Sequence, residues 1–253
     1  MFRADRYKFT DRKELVMSIE AIIFDLDNTL IHRKQAFAAY TERFIERFIV
    51  AEEQASRAAV VERMRLADQD GYRDKRELYT ELHADLKLKN PDTTVQEMLG
   101  FWYGEFHKFT VLMDGAKEVL SELRSRGLKL GMITNGSLRT QQAKIDRVML
   151  RDYVDSIIVS GGVNVEKPNP RIFELALKEL DIAEPGHACY VGDHPTNDIR
   201  GAQSAGLHTI WLEGFMTWNE MDIVPDHQIG SLREITGWLD RLSYPSNMEE
   251  GAS

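Results

Sequence analysis

Five short apolar runs, set between stretches of helical periodicity, confine this chain to a layered α/β fold. The first, Ala21-Ile22-Ile23-Phe24, is continuously apolar, carries β-branched residues and stops at Asp25, as a strand buried on both faces would. Four similar runs follow much later: Leu128–Ile133, Ser156–Val159, Ala188–Val191 and His208–Leu212. Between them, residues 116–124 have apolar side chains at three-to-four spacing and close at Gly127, a C-cap signal. Residues 172–180 repeat that pattern after a Pro-Asn-Pro start. Alternation of this kind predicts an open parallel sheet with helices on both faces.

Residues 33–112 break the alternation. No good strand occurs there; Phe37, Tyr40, Phe44 and Phe48 share helical spacing, as do Leu78, Leu82 and Leu86, while Gly71 and Pro91 punctuate the gaps. The stretch is expected to be an all-helical cap domain inserted into a Rossmann-like core of residues 19–32 and 113–243. The aromatic run Phe101-Trp102-Tyr103-Gly104-Glu105-Phe106 fits packing between cap helices better than a pocket lining. Residues 1–18 have no clear period and read as an extension, with Met17 a candidate translation start. Residues 244–253, with Pro, Ser, Asn and Gly, are expected to fray.

A formal charge of −9 over 253 residues, with no basic run, argues against a nucleic-acid polymer as partner. It also means that a phosphate-bearing substrate must find its positive charge locally, from a metal, a lysine or a helix N-terminus. No apolar run approaches the roughly 20 residues that span a bilayer, and the charged N-terminus lacks a signal-peptide core. The single cysteine, Cys189, lies in an apolar strand pattern; it reads as a core residue in a protein of the reducing cytoplasm.

Ligands of open parallel sheets bind beyond the carboxyl ends of the strands. Polar residues stand at those ends here. Asp25 and Asp27 follow the first strand, Thr134-Asn135-Gly136 the second and Gly192-Asp193 the fourth, with Asp198 five residues on; Lys167 lies in the loop after the third. Each has an ordinary reading by itself: a solvated Asp-x-Asp, a turn, a surface lysine, and Asp198 as the cap of the helix toward Gly206. Their convergence at four consecutive strand ends favours a site. Four carboxylates at one crevice need compensation, and an all-oxygen donor set without a histidine or cysteine cluster suits Mg²⁺. Asp25 and Asp193 are expected to coordinate through side chains. Asp27 is expected to use its backbone carbonyl and keep its carboxyl free, with Asp198 behind them. Lys167 and the Thr134 hydroxyl would stabilise phosphoryl oxygens, with Asn135 beside them, and Gly136 and Gly192 would let backbone approach the ligand.

These residues resemble the haloacid dehalogenase-like superfamily, in its branch with a helical cap after the first strand. The resemblance extends over residues 19–240 and carries four motifs: Asp25-Leu26-Asp27-Asn28-Thr29, Thr134, Lys167-Pro168, and Gly192-Asp193 with Asp198. It implies Mg²⁺ dependence, a cap that closes over substrate and an aspartyl-phosphate on Asp25. It further implies that Asp27, protonated, serves the leaving group and then takes a proton from the hydrolytic water.

Dehalogenases of this superfamily lack the second aspartate, so Asp27 favours phosphate chemistry. Sugar phosphomutases keep both aspartates and stand as the alternative, followed by a catalytically silent phosphate-binding module. The segments 134–142 and 167–173 are similar to phosphatases that include nucleotidases and phosphoglycolate phosphatases, so a small phosphorylated metabolite is the expected partner of a monomer or homodimer. Tyr72, Arg73 and Lys75 are candidate cap residues at the crevice, although a solvated turn is the plainer reading. His194 is equally compatible with substrate contact and with a structural hydrogen bond.

Overall fold

The computed structural model describes residues 18–51 and 53–243. Nearly all of the expected N-terminal extension, including Met17, and the tail 244–253 lie outside the described residues.

The five apolar runs form β1 (Ala21–Phe24), β2 (Lys129–Thr134), β3 (Ser156–Val159), β4 (Ala188–Gly192) and β5 (His208–Leu212). A sixth strand, β6 (His227–Ile229), joins the edge. Its three residues, His-Gln-Ile, contain no apolar run, and pairing with β5 rather than local propensity makes it a strand. All pairs are parallel, in the order β3-β2-β1-β4-β5-β6. The central strand β1 aligns Phe24 with Met132 on one side and with Val191 on the other. Chain order therefore reverses between β1 and β4, and the crevice of a doubly wound sheet opens where the strands carrying Asp25 and Asp193 end.

The strand alternation divides β1 between two cores. Ile22 and Phe24 pack with Leu120 and Leu123 of α5 (Ala116–Ser125) and Ile235 and Trp238 of α10 (Glu234–Ser243). Ala21 and Ile23 face Ile172, Phe173 and Ala176 of α8 (Pro170–Glu179). Cys189 is fully buried in the first of these cores, and burial pushes its thiol up, away from reactive thiolate.

Between β1 and α5 the described residues form α1 (Arg33–Phe48), α2 (Gln54–Asp68), α3 (Lys75–Asp85) and α4 (Val95–Glu105). These build a third core of their own. Phe37, Tyr40, Phe44 and Phe48 of α1 meet Leu78, Tyr79 and Leu82 of α3 and Trp102 of α4. Trp102 stacks on Phe106 at 4.0 Å, so the aromatic run mostly packs; Tyr103 instead is 45% exposed and borders the crevice. No helix among the described residues is long and apolar enough to cross a membrane.

Candidate active site

A cavity of about 700 Å³ lies between the carboxyl ends of the strands and the helices α1–α4. Asp25, Asp27, Thr134, Lys167 and Asp198 line it from the strand ends and the loops beyond them; Tyr72 and Arg73, in the turn before α3, and Lys75, Trp102 and Tyr103 line it from the helical block. The three cap residues singled out in the sequence thus face the crevice and are not merely a solvated turn.

Asp25, Asp193 and Asp198 come together, each offering a carboxylate oxygen within 4.8 Å of the other two. Lys167 reaches into this group from the loop before α8. Its ammonium donates to Asp25 Oδ1 at 2.6 Å, Asp198 Oδ1 at 2.6 Å and the Tyr190 hydroxyl at 2.9 Å. Burial works against its charge, but Asp198 and Asp25 outweigh burial and hold the proton well above the usual lysine range. For Asp25, burial raises the pKa, Lys167 opposes it and Asp198 adds to the rise, giving a value of about 7. Asp193 is driven well above the usual carboxylate range by burial and then by Asp25 and Asp198.

The ordinary reading of Asp198, as the cap of the following helix, does not hold. The turn Pro195–Arg200 is capped by His194, whose Nδ1 accepts from the backbone of Thr196 and of Asn197, each at 3.2 Å. Asp198 instead spends Oδ1 on Lys167 and Oδ2 on the His194 backbone N–H at 2.9 Å. Gly192 makes room for that carboxylate rather than for a ligand: a Cβ there would lie 2.4 Å from the Asp198 carboxyl carbon. His194 therefore has the structural role, with its ring edge-on to Tyr72 at 5.0 Å.

Asp27 departs furthest from expectation. Its carboxyl is not free. Helix α6 (Leu138–Arg147) supplies Lys144, whose ammonium lies 2.8 Å from both carboxylate oxygens, and Gln141, which donates to Oδ2 at 2.8 Å. Burial raises the pKa of Asp27, but Lys144, Arg33 and these hydrogen bonds together carry it below the usual carboxylate range. This arrangement favours the charged form of Asp27, whereas the family resemblance implies a protonated acid toward the leaving group.

Gln141 also donates to the Thr134 hydroxyl and to the Asn135 carbonyl at 3.1 Å. The Asn135 side chain, expected at the phosphate, clamps the lysine loop: its Nδ2 donates to Lys167 O and its Oδ1 accepts from Lys167 N, both at 2.9 Å. It positions Lys167, and its amide is taken up in doing so.

Sequence reasoning missed Gln141, Lys144, Tyr190 and Arg33. The first two lie on a helix whose polar face reads as solvated in the sequence. Helix α6 buries Gln141, Lys144 and Ile145, a polar face where a packing helix would show an apolar stripe. Arg33, the first residue of α1, is 5% exposed and pairs with buried Asp68 at 2.8 Å; Lys75 shares that carboxylate at 2.8 Å. Gly71, with φ of 101°, turns the chain over the Arg33 guanidinium, where a Cβ would lie 2.6 Å from its carbon.

Residues 19–206 match the haloacid dehalogenase-like hydrolase family. A phosphoserine phosphatase of Thermus thermophilus is 37% identical over 120 residues, covering 47% of this chain and 48% of that protein. The chain therefore spans only about half the length of that relative. A glyceraldehyde 3-phosphate phosphatase of Pyrococcus furiosus is 30% identical over 238 residues, covering 88% of this chain and 94% of that protein. Among solved structures, the putative hydrolase YfnB of Bacillus subtilis, determined with bound magnesium, superposes with a TM-score of 0.69. It is 22% identical and covers 88% of this chain and 99% of that one, a likeness of fold.

Proposed function

Because this chain belongs to the haloacid dehalogenase-like hydrolase family, we propose that it hydrolyses a small phosphomonoester, with Asp25 as the nucleophile. The observation that carries this reading is a charge balance. Asp25, Asp27, Asp193 and Asp198 contribute four negative charges, and Lys144 and Lys167 are the lysines that bond them. Two negative charges are left over. No ion pair among the described residues includes Asp193, and burial, then the charges of Asp25 and Asp198, push its pKa up. An all-oxygen set with a deficit of two fits Mg²⁺, with Asp25 and Asp193 holding it through their carboxylates and Asp27 through its backbone carbonyl. Bound there, the ion supplies a clamp for phosphoryl oxygens and offsets charge that develops on them.

The chain's own groups account for the rest. Asp25 attacks phosphorus in line, the P–O bond to the alcohol breaks, and the aspartyl-phosphate is later cleaved by water. Lys167, fixed by Asp198, Tyr190 and the Asn135 clamp, donates to the phosphoryl oxygens beside Asp25, with the Thr134 hydroxyl on the other side. The ionised Asp27 suits the second half, accepting a proton from water. For the first half it takes up a proton from solvent as the phosphoryl dianion arrives beside it, a direction that like charge favours, and passes that proton to the leaving alkoxide. Helices α1–α4, residues 33–112, serve as a cap on the core of residues 19–32 and 113–243; Tyr72, Arg73 and Tyr103 read the leaving group, while Lys75, bonded to Asp68, Gly71 O and Arg73 O, shapes the turn that carries them.

The named relatives act on different phosphate esters, so the alcohol is the open variable. Phosphate release measured with Mg²⁺ over nucleotides, sugar phosphates, phosphoglycolate and pyridoxal phosphate tests the proposal. Release from at least one ester is expected; silence across them, or halide release from a halo-acid in the same assay, would overturn it.

A further inference from the structure

We infer that Lys144 of α6 is a positioning residue for Asp27, setting the carboxylate with which the protein serves the leaving group; the inference rests on the phosphatase reading above. The geometry is specific. Asp27 follows β1 and Lys144 lies 117 residues away, yet the ammonium is 2.8 Å from both oxygens of the carboxylate. A lysine equidistant from the two oxygens fixes the plane of the group, and Gln141, one helical turn earlier, fixes which oxygen is which by donating to Oδ2 at 2.8 Å. The same Gln141 nitrogen reaches the Thr134 hydroxyl, so one face of α6 holds the second aspartate in register with the proposed phosphate-binding threonine.

Lys144 is itself immobilised. It is 4% exposed, and its ammonium lies 5.4 Å from the centre of the Phe106 ring, at the base of the helical block. Arg147, a turn further along α6, donates to Lys108 O at 3.2 Å in the same base. Burying an ammonium is costly unless it is paired, and Asp27 is its ion-pair partner among the described residues. Lys144 borders the cavity, yet both hydrogen bonds of its ammonium go to Asp27, so its hold on the reaction runs through that carboxylate.

The test compares Lys144→Met and Lys144→Arg with the wild type, on an alkyl phosphate and on p-nitrophenyl phosphate, whose leaving group needs little protonation. Lys144→Met is expected to lower kcat on the alkyl ester by roughly 10–100-fold, to affect the aryl ester much less, and to leave KM nearly unchanged. Lys144→Arg should restore part of the loss. In an Asp27→Asn background the same Lys144→Met change should cost little further, because the group being positioned is already disabled. This non-additivity also separates positioning from damage to the fold, which would lower both backgrounds alike. A rise in KM with kcat unchanged would assign Lys144 to substrate binding, and equal losses on both esters or in both backgrounds would make it structural; either overturns the inference while leaving the phosphatase reading intact. A wild type that releases no phosphate from any ester would instead overturn the phosphatase reading and this inference with it.

Discussion

Asp25 and Asp27 lie two residues apart and meet opposite electrostatic surroundings. Asp25 shares its lysine with Asp198 and is pushed up to about 7, whereas Asp27 has Lys144 to itself and is pulled down. Desolvation raises both groups, Asp27 being the more exposed of the two, and the partners give the opposite directions. Asp25→Asn is expected to reduce phosphate release by about three orders of magnitude or more with an unchanged melting curve; residual turnover near wild type would remove Asp25 as nucleophile. Asp27→Asn should penalise alkyl esters more than aryl esters, which parallel rate measurements on the two will read. At Gly192 the prediction is steric. A methyl group 2.4 Å from the Asp198 carboxyl must displace that carboxylate from Lys167 and His194, so Gly192→Ala should lose activity and stability together. The Asp-x-Asp pattern and Lys167 were legible because they sit where strands end. The pairing of Lys144 was not, because an ion pair between residues 27 and 144 leaves no local spacing to read.

Among the elements, α1 shows how far periodicity carries. Phe37, Tyr40, Phe44 and Phe48 all turn inward as their spacing required, onto α3 and α4. What the period could not convey is that Tyr40 and Tyr79 bring their hydroxyls together at 2.7 Å inside that aromatic core. Each hydroxyl there partners the other, away from water. Tyr40→Phe is expected to cost about 1–3 kcal/mol by leaving Tyr79 unpaired, and the double change to Phe should recover much of it; chemical denaturation of the three variants will show whether the two losses are coupled. Helix α6 is the opposite case. Its polar inner face looks like a solvated helix in sequence, and the structure reveals a helix that packs through hydrogen bonds onto the site.

Across the whole molecule, two surplus negative charges at the strand ends tie stability to a cation. Adding Mg²⁺ to metal-free protein is expected to stabilise it by about 2.7 kcal/mol at a hundredfold excess over Kd, which for a chain of this size is roughly 5–10 °C in Tm. Asp193→Asn should abolish most of that shift, and EDTA should stop turnover until Mg²⁺ is returned. A Tm indifferent to Mg²⁺ would remove the metal from the proposal. The alternating runs and the strand-end acids, read by themselves, determined the layered fold, the helical insertion and the place of the crevice, because strand and helix periods and strand termini are local properties of a chain. Tertiary structure alone decided that β6 exists, that Asp198 bonds a lysine instead of capping a helix, that Asn135 clamps a loop and that Asp27 is paired with Lys144. Each of these depends on which distant group arrives within about 3 Å, and the charge a buried carboxylate carries is set by that neighbour.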